Sequence, residues 1–287
     1  MRRLIPALLA VTVTASTAFA ADKVRFAVTE IEGLEQLQTE FGPFRDKLQQ
    51  LTGLEIEFQP VSSRTSAVEA MNSGLLELAL TGPSEYVVMH EMTKADVIVG
   101  WQRPDYFAQV VTIAGRGINS PKDLTGKKIA FGSAGSTSTH LGPAQVLTDQ
   151  GLSYGKDYQS LHIDRNVAIQ ALINGDLDAV GMSFDHLNSA RKAFPNVPFL
   201  VVARGRDLPD DALMASPLAD QATIEKIRKA FTDHGQDLLG SVLDGTDDNQ
   251  KYAQGVFRSS IQDSDYDYVR AMYNTIGIET FGKFIDE

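Results

Sequence analysis

The chain has 287 residues, 43% of them hydrophobic, and 26 Lys and Arg stand against 37 Asp and Glu for a formal net charge of −11. That acidic balance argues against nucleic acid and anionic membrane as partners. The absence of cysteine excludes disulfides, thiolate metal sites and a lipid-bearing cysteine near the N-terminus. The length suits two lobes of ordinary domain size with enough apolar residues for real cores.

The first twenty residues carry Arg2 and Arg3, an apolar run from Leu4 to Val13, and small residues ending in Ala18-Phe19-Ala20. This is the pattern of an export signal cleaved after Ala20, and its apolar run is too short to span a bilayer. Cleavage removes two Arg and no acid, leaving 26 − 2 = 24 basic residues against 37 acidic ones, a balance of −13. A soluble, periplasmic mature chain starting at Ala21 is expected.

From there strand-like and helix-like runs alternate. KVRFAVT is followed by a helix around Phe41 to Leu51, with Phe44, Leu48 and Leu51 on one face. Then come IEFQPV, a helix from Thr65 to Asn72, LELALT, a helix from Ser84, and VIVGW. Such alternation predicts an α/β lobe with a largely parallel sheet flanked by helices. Two long extended runs, Tyr106 to Ala114 and Pro198 to Ala203, are expected to lead to a second lobe and back. This divides the chain into 21–109, 110–202 and a return over 203–287. In the return, Ile224, Ile227, Phe231, Leu238 and Leu239 fall on one side of a helix starting near Gln221, which is expected to pack on the first lobe.

The pattern repeats internally. AVEAMNSGLLEL (67–78) matches AIQALINGDLDA (168–179) at a spacing of 168 − 67 = 101, and the same spacing pairs Arg64 with Arg165. Both arginines open a helix at the C-terminal edge of the preceding strand, where ligands of open α/β sheets bind. A cation there opposes the helix dipole unless an anion is bound.

Residues 132–143 read GSAGSTSTHLGP, between an expected strand at Lys127–Phe131 and an expected helix at Leu141–Asp149. Its hydroxyls therefore sit at a helix N-terminus, where unpaired N–H groups attract anions. Catalysis has little support. Ser136 and His140 are one turn apart, but Ser136 lies in no G-x-S-x-G elbow and no acid is placed to orient His140, which reads as a helix residue facing polar surroundings. Neither a nucleotide-binding loop nor a metal-ligand spacing is present, so no cofactor or metal is expected. A micromolar anion needs about 8 kcal/mol, more than one helix end at about 2 kcal/mol provides. Groups from two closing lobes are therefore expected to share the ligand.

GSTSTHLGP, together with AVEAMNSGLLELALTGPSEY, the run from Tyr106, SPKDLTGKKIAFG and AIQALINGDLDAVG, resembles the periplasmic solute-binding proteins of phosphonate and phosphite ABC transporters. The resemblance implies a two-lobed periplasmic binding protein fold of type II and a monomer that is not an enzyme. It implies a phosphonate-type oxyanion held by Ser136, Thr137 and Ser138, with Thr139 beside them, and Tyr106 at the lobe crossing. Asp185 and Asp211 match acidic positions that hold the ammonium of aminoalkylphosphonates, with Asp210 an alternative to Asp211. Arg64 and Arg165 stand where the family often has tyrosine and histidine, which suggests an arginine pair on a more anionic ligand. The implied partner is an inner-membrane ABC permease. The periplasmic domain of a sensor kinase is an alternative, and a phosphoester or phosphonate hydrolase is a third reading.

Overall fold

The computed structural model describes residues 23–285 apart from Glu30 and Glu32, so the expected export signal lies outside the described residues. The strands are β1 (Lys23–Val28), β2 (Glu55–Phe58), β3 (Leu78–Thr81), β4 (Asp96–Trp101), β5 (Phe107–Ile113), β6 (Lys128–Phe131), β7 (Gln159–His162), β8 (Ala179–Ser183), β9 (Phe199–Asp207), β10 (Asp211–Ala215) and β11 (Phe257–Arg258). The α-helices are α1 (Leu34–Thr52), α2 (Arg64–Asn72), α3 (Pro83–Thr93), α4 (Gly142–Asp149), α5 (Arg165–Asn174), α6 (Phe184–Ala193), α7 (Gln221–Leu243) and α8 (Asp267–Thr275).

Two mixed sheets result, one in the order β11-β4-β10-β3-β1-β2 and the other β7-β6-β8-β5-β9. In each, three neighbouring strands run parallel: β2, β1 and β3 in the first, and β7, β6 and β8 in the second. An antiparallel strand then follows from across the molecule, β10 beside β3 and β5 beside β8. The shared order shows the sequence echo to be architectural. Glu77 accepts a hydrogen bond from the Arg25 amide of the neighbouring strand (2.7 Å), and its counterpart Asp178 does the same for the Lys128 amide (2.8 Å).

The middle of each sheet is covered on both faces, so β3, β5, β8 and β10 are buried along their lengths, whereas the edge strand β2 alternates buried and exposed residues. Successive residues still point to opposite faces. Val24, Phe26 and Val28 join the cluster under α1 and α7, where Trp101 is fully buried, whereas Ala27 joins the one under α2, α3 and α8. Likewise Val110 and Ile129 face α4, and Val111 and Ala130 face α5 and α6. Helix α7 packs on the first lobe through Ile224, Ile227, Phe231, Leu238 and Leu239.

The expected limits shift in three places. Helix α1 begins seven residues before Phe41, at Leu34, and keeps Pro43 within it. Its turn toward solvent carries polar residues that hide the apolar stripe from a sequence reading. The boundaries at 109/110 and 202/203 fall inside β5 and β9, because those strands pair along their lengths as far as Phe107 opposite Asp207. The crossings themselves are the short segments 102–106 and 208–210, tied together where the Leu208 amide donates to the Tyr106 carbonyl (2.8 Å). No helix of the described residues is long and apolar enough to cross a membrane.

Candidate anion-binding cleft

A cleft of about 580 Å³ lies between the sheets, at the C-terminal ends of parallel strands from both. Val28, Leu80, Thr81 and Gly82 form its first-lobe wall, and Ser136, Thr137, Ser138, Ser183 and Asp185 its second-lobe wall. This is where open α/β sheets take ligands.

The hydroxyl loop leaves β6 at Gly132 and turns through Gly135, whose φ of 77° is readily reached only by glycine. Ser136 then opens a wide turn over Thr137–Leu141, with the Leu141 amide donating to the Ser136 carbonyl at 2.9 Å, before α4 continues from Gly142. The helix expected at Leu141–Asp149 is α4 itself, and the wide turn extends it by a further turn at its N-terminus. Glycine at 142 permits the wide turn, because a Cβ there would stand 2.6 Å from that of Ala108. The amides of the first turn have no acceptor above them in the helix.

The loop's hydroxyls divide their work. Ser136, Thr137 and Ser138 all line the cleft. Thr137 Oγ1 also accepts from the Ser84 amide (3.0 Å) and donates to Ser84 Oγ (2.9 Å), tying the loop to the start of α3. Thr139 lines instead a neighbouring cavity of about 480 Å³, which shares Ser136, Arg165 and His186 with the main cleft. Replacing Thr137 with valine keeps its shape and strands the Ser84 amide. Urea denaturation should show a loss of about 1–3 kcal/mol, and an unchanged midpoint would rule out the tie as a structural bond.

His140 is buried, and its polar surroundings are the protein's own Gly135 amide, Tyr154 hydroxyl and His162. It is 2% exposed, accepts from the Gly135 amide through Nδ1 (3.0 Å) and packs edge-on against Phe131. Burial first, and the neighbouring His162 second, lower its pKa from 6.5 to about 3. Tyr86 and Trp101 are buried packing residues.

The structure separates the two arginines. Arg165, the first residue of α5, lines both cavities. Arg64, the first residue of α2, is absent from both linings and pairs at 2.9 Å with Glu85, whose side chain is 4% exposed. A carboxylate so buried needs its own counter-charge, and Arg64 supplies it, so the two-arginine clamp is not formed.

Asp211 is likewise committed. Arg103 donates to it through Nε (2.7 Å) and Nη2, and the Tyr252 hydroxyl donates at 2.6 Å. Asp210 pairs with Arg258 (3.1 Å) and lies outside the cleft, with burial pushing its carboxyl up to about 6. Asp211 nevertheless lines the cleft, its carboxylate already holding three donors. Asp185, in the first turn of α6, lines the cleft, as do Glu40, Asp211, Asp247 and Asp248. Desolvation by the surrounding protein holds its pKa above the ordinary aspartate value, against the pull of Arg103. Tyr106 lines the cleft at the crossing, with the Arg103 guanidinium stacked 4.3 Å from its ring.

Sequence reasoning missed Arg103, Lys192, Lys251 and Tyr252, all of which line the cleft. Arg103 was within reach, since it lies three residues before Tyr106 in a crossing read only from Tyr106 onward. Lys251 and Tyr252 come from a short turn after α7 that carries no motif. Among the described residues no group of three or more His, Asp or Glu is placed to hold a metal.

Two helix-flanked sheets around a cleft at their strand ends, joined by paired crossings, are the fold of the type II periplasmic binding proteins. The family model for periplasmic substrate-binding proteins of phosphonate ABC transporters matches residues 26–267, and the chain belongs to that family. It is similar to the phosphate-import protein PhnD of Mycolicibacterium smegmatis, 28% identical over 179 residues, a match covering 57% of this chain and 56% of that protein. Two solved structures share the fold. PhnD1 of Prochlorococcus marinus in complex with methylphosphonate has a TM-score of 0.68 at 16% identity, covering 90% of this chain and 99% of its own. XAC2383 of Xanthomonas citri bound to ATP has a TM-score of 0.71 at 15% identity, covering 89% and 97%.

Proposed function

We propose that the mature protein is a periplasmic receptor that captures a phosphonate-type oxyanion between its lobes and delivers it to an inner-membrane ABC permease. The observation that carries this reading is the convergence on one cleft of Ser136 and Ser138, at a helix N-terminus, with the permanently charged Arg165. Helix-end amides, hydroxyls and a guanidinium together suit a tetrahedral oxyanion. Family membership and the relatives named phosphate importer and methylphosphonate binder support the same class of ligand. Asp185 on the second-lobe wall suits an amino group, which favours aminoalkylphosphonates over the bare anion. A cation beside it would restore the carboxylate that desolvation disfavours.

A thermal-shift and calorimetry panel of methylphosphonate, aminoethylphosphonate, phosphite, phosphate and sulfate tests this directly. A bound ligand at a hundred times its Kd adds about 2.7 kcal/mol of stability, and no shift with any of them would remove the proposal. Arg165→Met should weaken the bound oxyanion by about 1.5–3 kcal/mol, the worth of a charge-assisted contact. Arg64→Met should chiefly lower stability, because Glu85 loses its counter-charge. Equal loss of affinity in both variants would reinstate the arginine pair. Asp185→Asn should weaken aminoethylphosphonate while sparing methylphosphonate.

A further inference from the structure

Behind the hydroxyl loop lies a side-chain cluster that touches no part of the cleft wall yet grips the loop at both ends. His162 Nδ1 is 2.9 Å from the Gly132 carbonyl, and His140 Nδ1 is 3.0 Å from the Gly135 amide. Between the two rings stands the Tyr154 hydroxyl, 3.0 Å from His140 Nε2 and 3.4 Å from His162 Nε2. The imidazoles meet edge to face at 4.4 Å between centroids.

The backbone groups at the two ends fix every proton between them. An amide can only donate, so His140 Nδ1 is the bare nitrogen and the neutral ring carries its proton on Nε2. A carbonyl can only accept, so the neutral His162 ring carries its proton on Nδ1, and its other nitrogen, Nε2, is the acceptor. The Tyr154 oxygen then accepts from His140 and its proton points to His162. The result is one directed circuit, from the Gly135 amide through His140, Tyr154 and His162 to the Gly132 carbonyl, closed by the backbone of 132–135. Circuits of this kind polarise in one sense and hold their members in register.

We propose that Tyr154 and His162 are positioning residues that lock the 132–136 loop, and with it Ser136 and the amides of the following turn, in the geometry that receives the oxyanion. This rests on the anion-binding reading of that loop. Neither residue touches the main cleft. His140, also outside the cleft, anchors the buried end, whereas His162 sits at the open end beside Asp164, Arg165 and His186, with which it lines the smaller cavity.

The test separates the lock from the ligand. In the ligand-free protein, nitrogen NMR should find His140 protonated on Nε2 and His162 on Nδ1, and the opposite tautomer at either ring overturns the proposal. Tyr154→Phe removes one hydroxyl and keeps the ring. The Gly135 amide should then exchange about five- to tenfold faster with solvent, as expected for the loss of one hydrogen bond, while β5 amides keep their rates. Unchanged exchange at Gly135 overturns the lock. For whichever of methylphosphonate or inorganic phosphate the wild-type protein binds, Tyr154→Phe and His162→Ala should each weaken binding about fivefold. His162→Asn, which keeps a donor for the Gly132 carbonyl, should recover part of that loss. Full wild-type affinity in Tyr154→Phe also overturns the proposal. A wild-type protein that binds neither probe, or a Ser138→Ala variant that binds as well as wild type, would remove the anion reading instead. The tautomers and Gly135 exchange would still decide whether the loop is locked.

Discussion

Asp211→Asn should destabilise the protein by about 3–5 kcal/mol, the usual consequence of leaving a buried charge without its partner. The Asp211 side chain is 3% exposed and that of Arg103 12%, and Tyr252 adds a hydrogen bond to the same carboxylate. Asparagine keeps the shape but offers one oxygen where three donors converge, so Arg103 stays charged in a place that has excluded water. The pair joins the start of β10 to the β4–β5 crossing, so the loss should appear as a lower midpoint in urea and a looser crossing. The double variant Arg103→Met with Asp211→Leu should recover much of the deficit, because it leaves no unmatched charge. A stable Asp211→Asn that merely loses aminoethylphosphonate would restore Asp211 to the role the family resemblance implies for it.

Acid should expose the second large effect. The fold holds His140 as the neutral imidazole with a pKa near 3 rather than 6.5. A lowered histidine pKa means that its stabilisation is complete above pH 6.5 and is lost as pH falls toward 3. At about 1.4 kcal/mol per pH unit of difference, roughly 3 kcal/mol should disappear between pH 6.5 and 4. His140→Leu should be the less stable protein at pH 7, since the Gly135 amide loses its acceptor, yet should lose much less on acidification. Asp210, with its carboxyl raised to about 6, acts in the opposite sense between pH 6 and 3.8. It does so in both proteins, so the difference between them isolates His140. A gap between the two that is the same at pH 7 and pH 4 would show that His140 is not the titrating group.

The architecture could be read from the chain because its signals are local. Apolar strands alternate with helices, and the 101-residue echo reports two sheets of one design. The position of Arg64 as the first residue of α2 was legible for the same reason. Its partner was not, since Glu85 lies in a different helix and only the packing of α2 against α3 brings them together. The pairing of Asp211 was hidden likewise, as its neutralising Arg103 lies 108 positions away. Polar surroundings for His140 were legible from its residue type, but not that the Gly135 amide and Tyr154 hydroxyl supply them inside the fold. Charge type and helix position are written locally, whereas whether a charge is spent on another residue is decided by tertiary contact.

The order of strands in the first sheet sets a timetable for synthesis and folding. β10 lies between β3 and β4, which have no other bridge, so the sheet stays in two pieces until residues 211–215 have been made. The second sheet is drawn wholly from the continuous stretch 107–207 and has everything it needs earlier. Pairing strands this far apart in sequence is slow. The second lobe should therefore act as the early-folding unit, with the first closing around it last. A chain stopped after residue 207 should contain one ordered lobe, the β1–β3 piece of the other sheet and an unpaired β4, and such a chain would need protection from aggregation until residues 211–215 arrive.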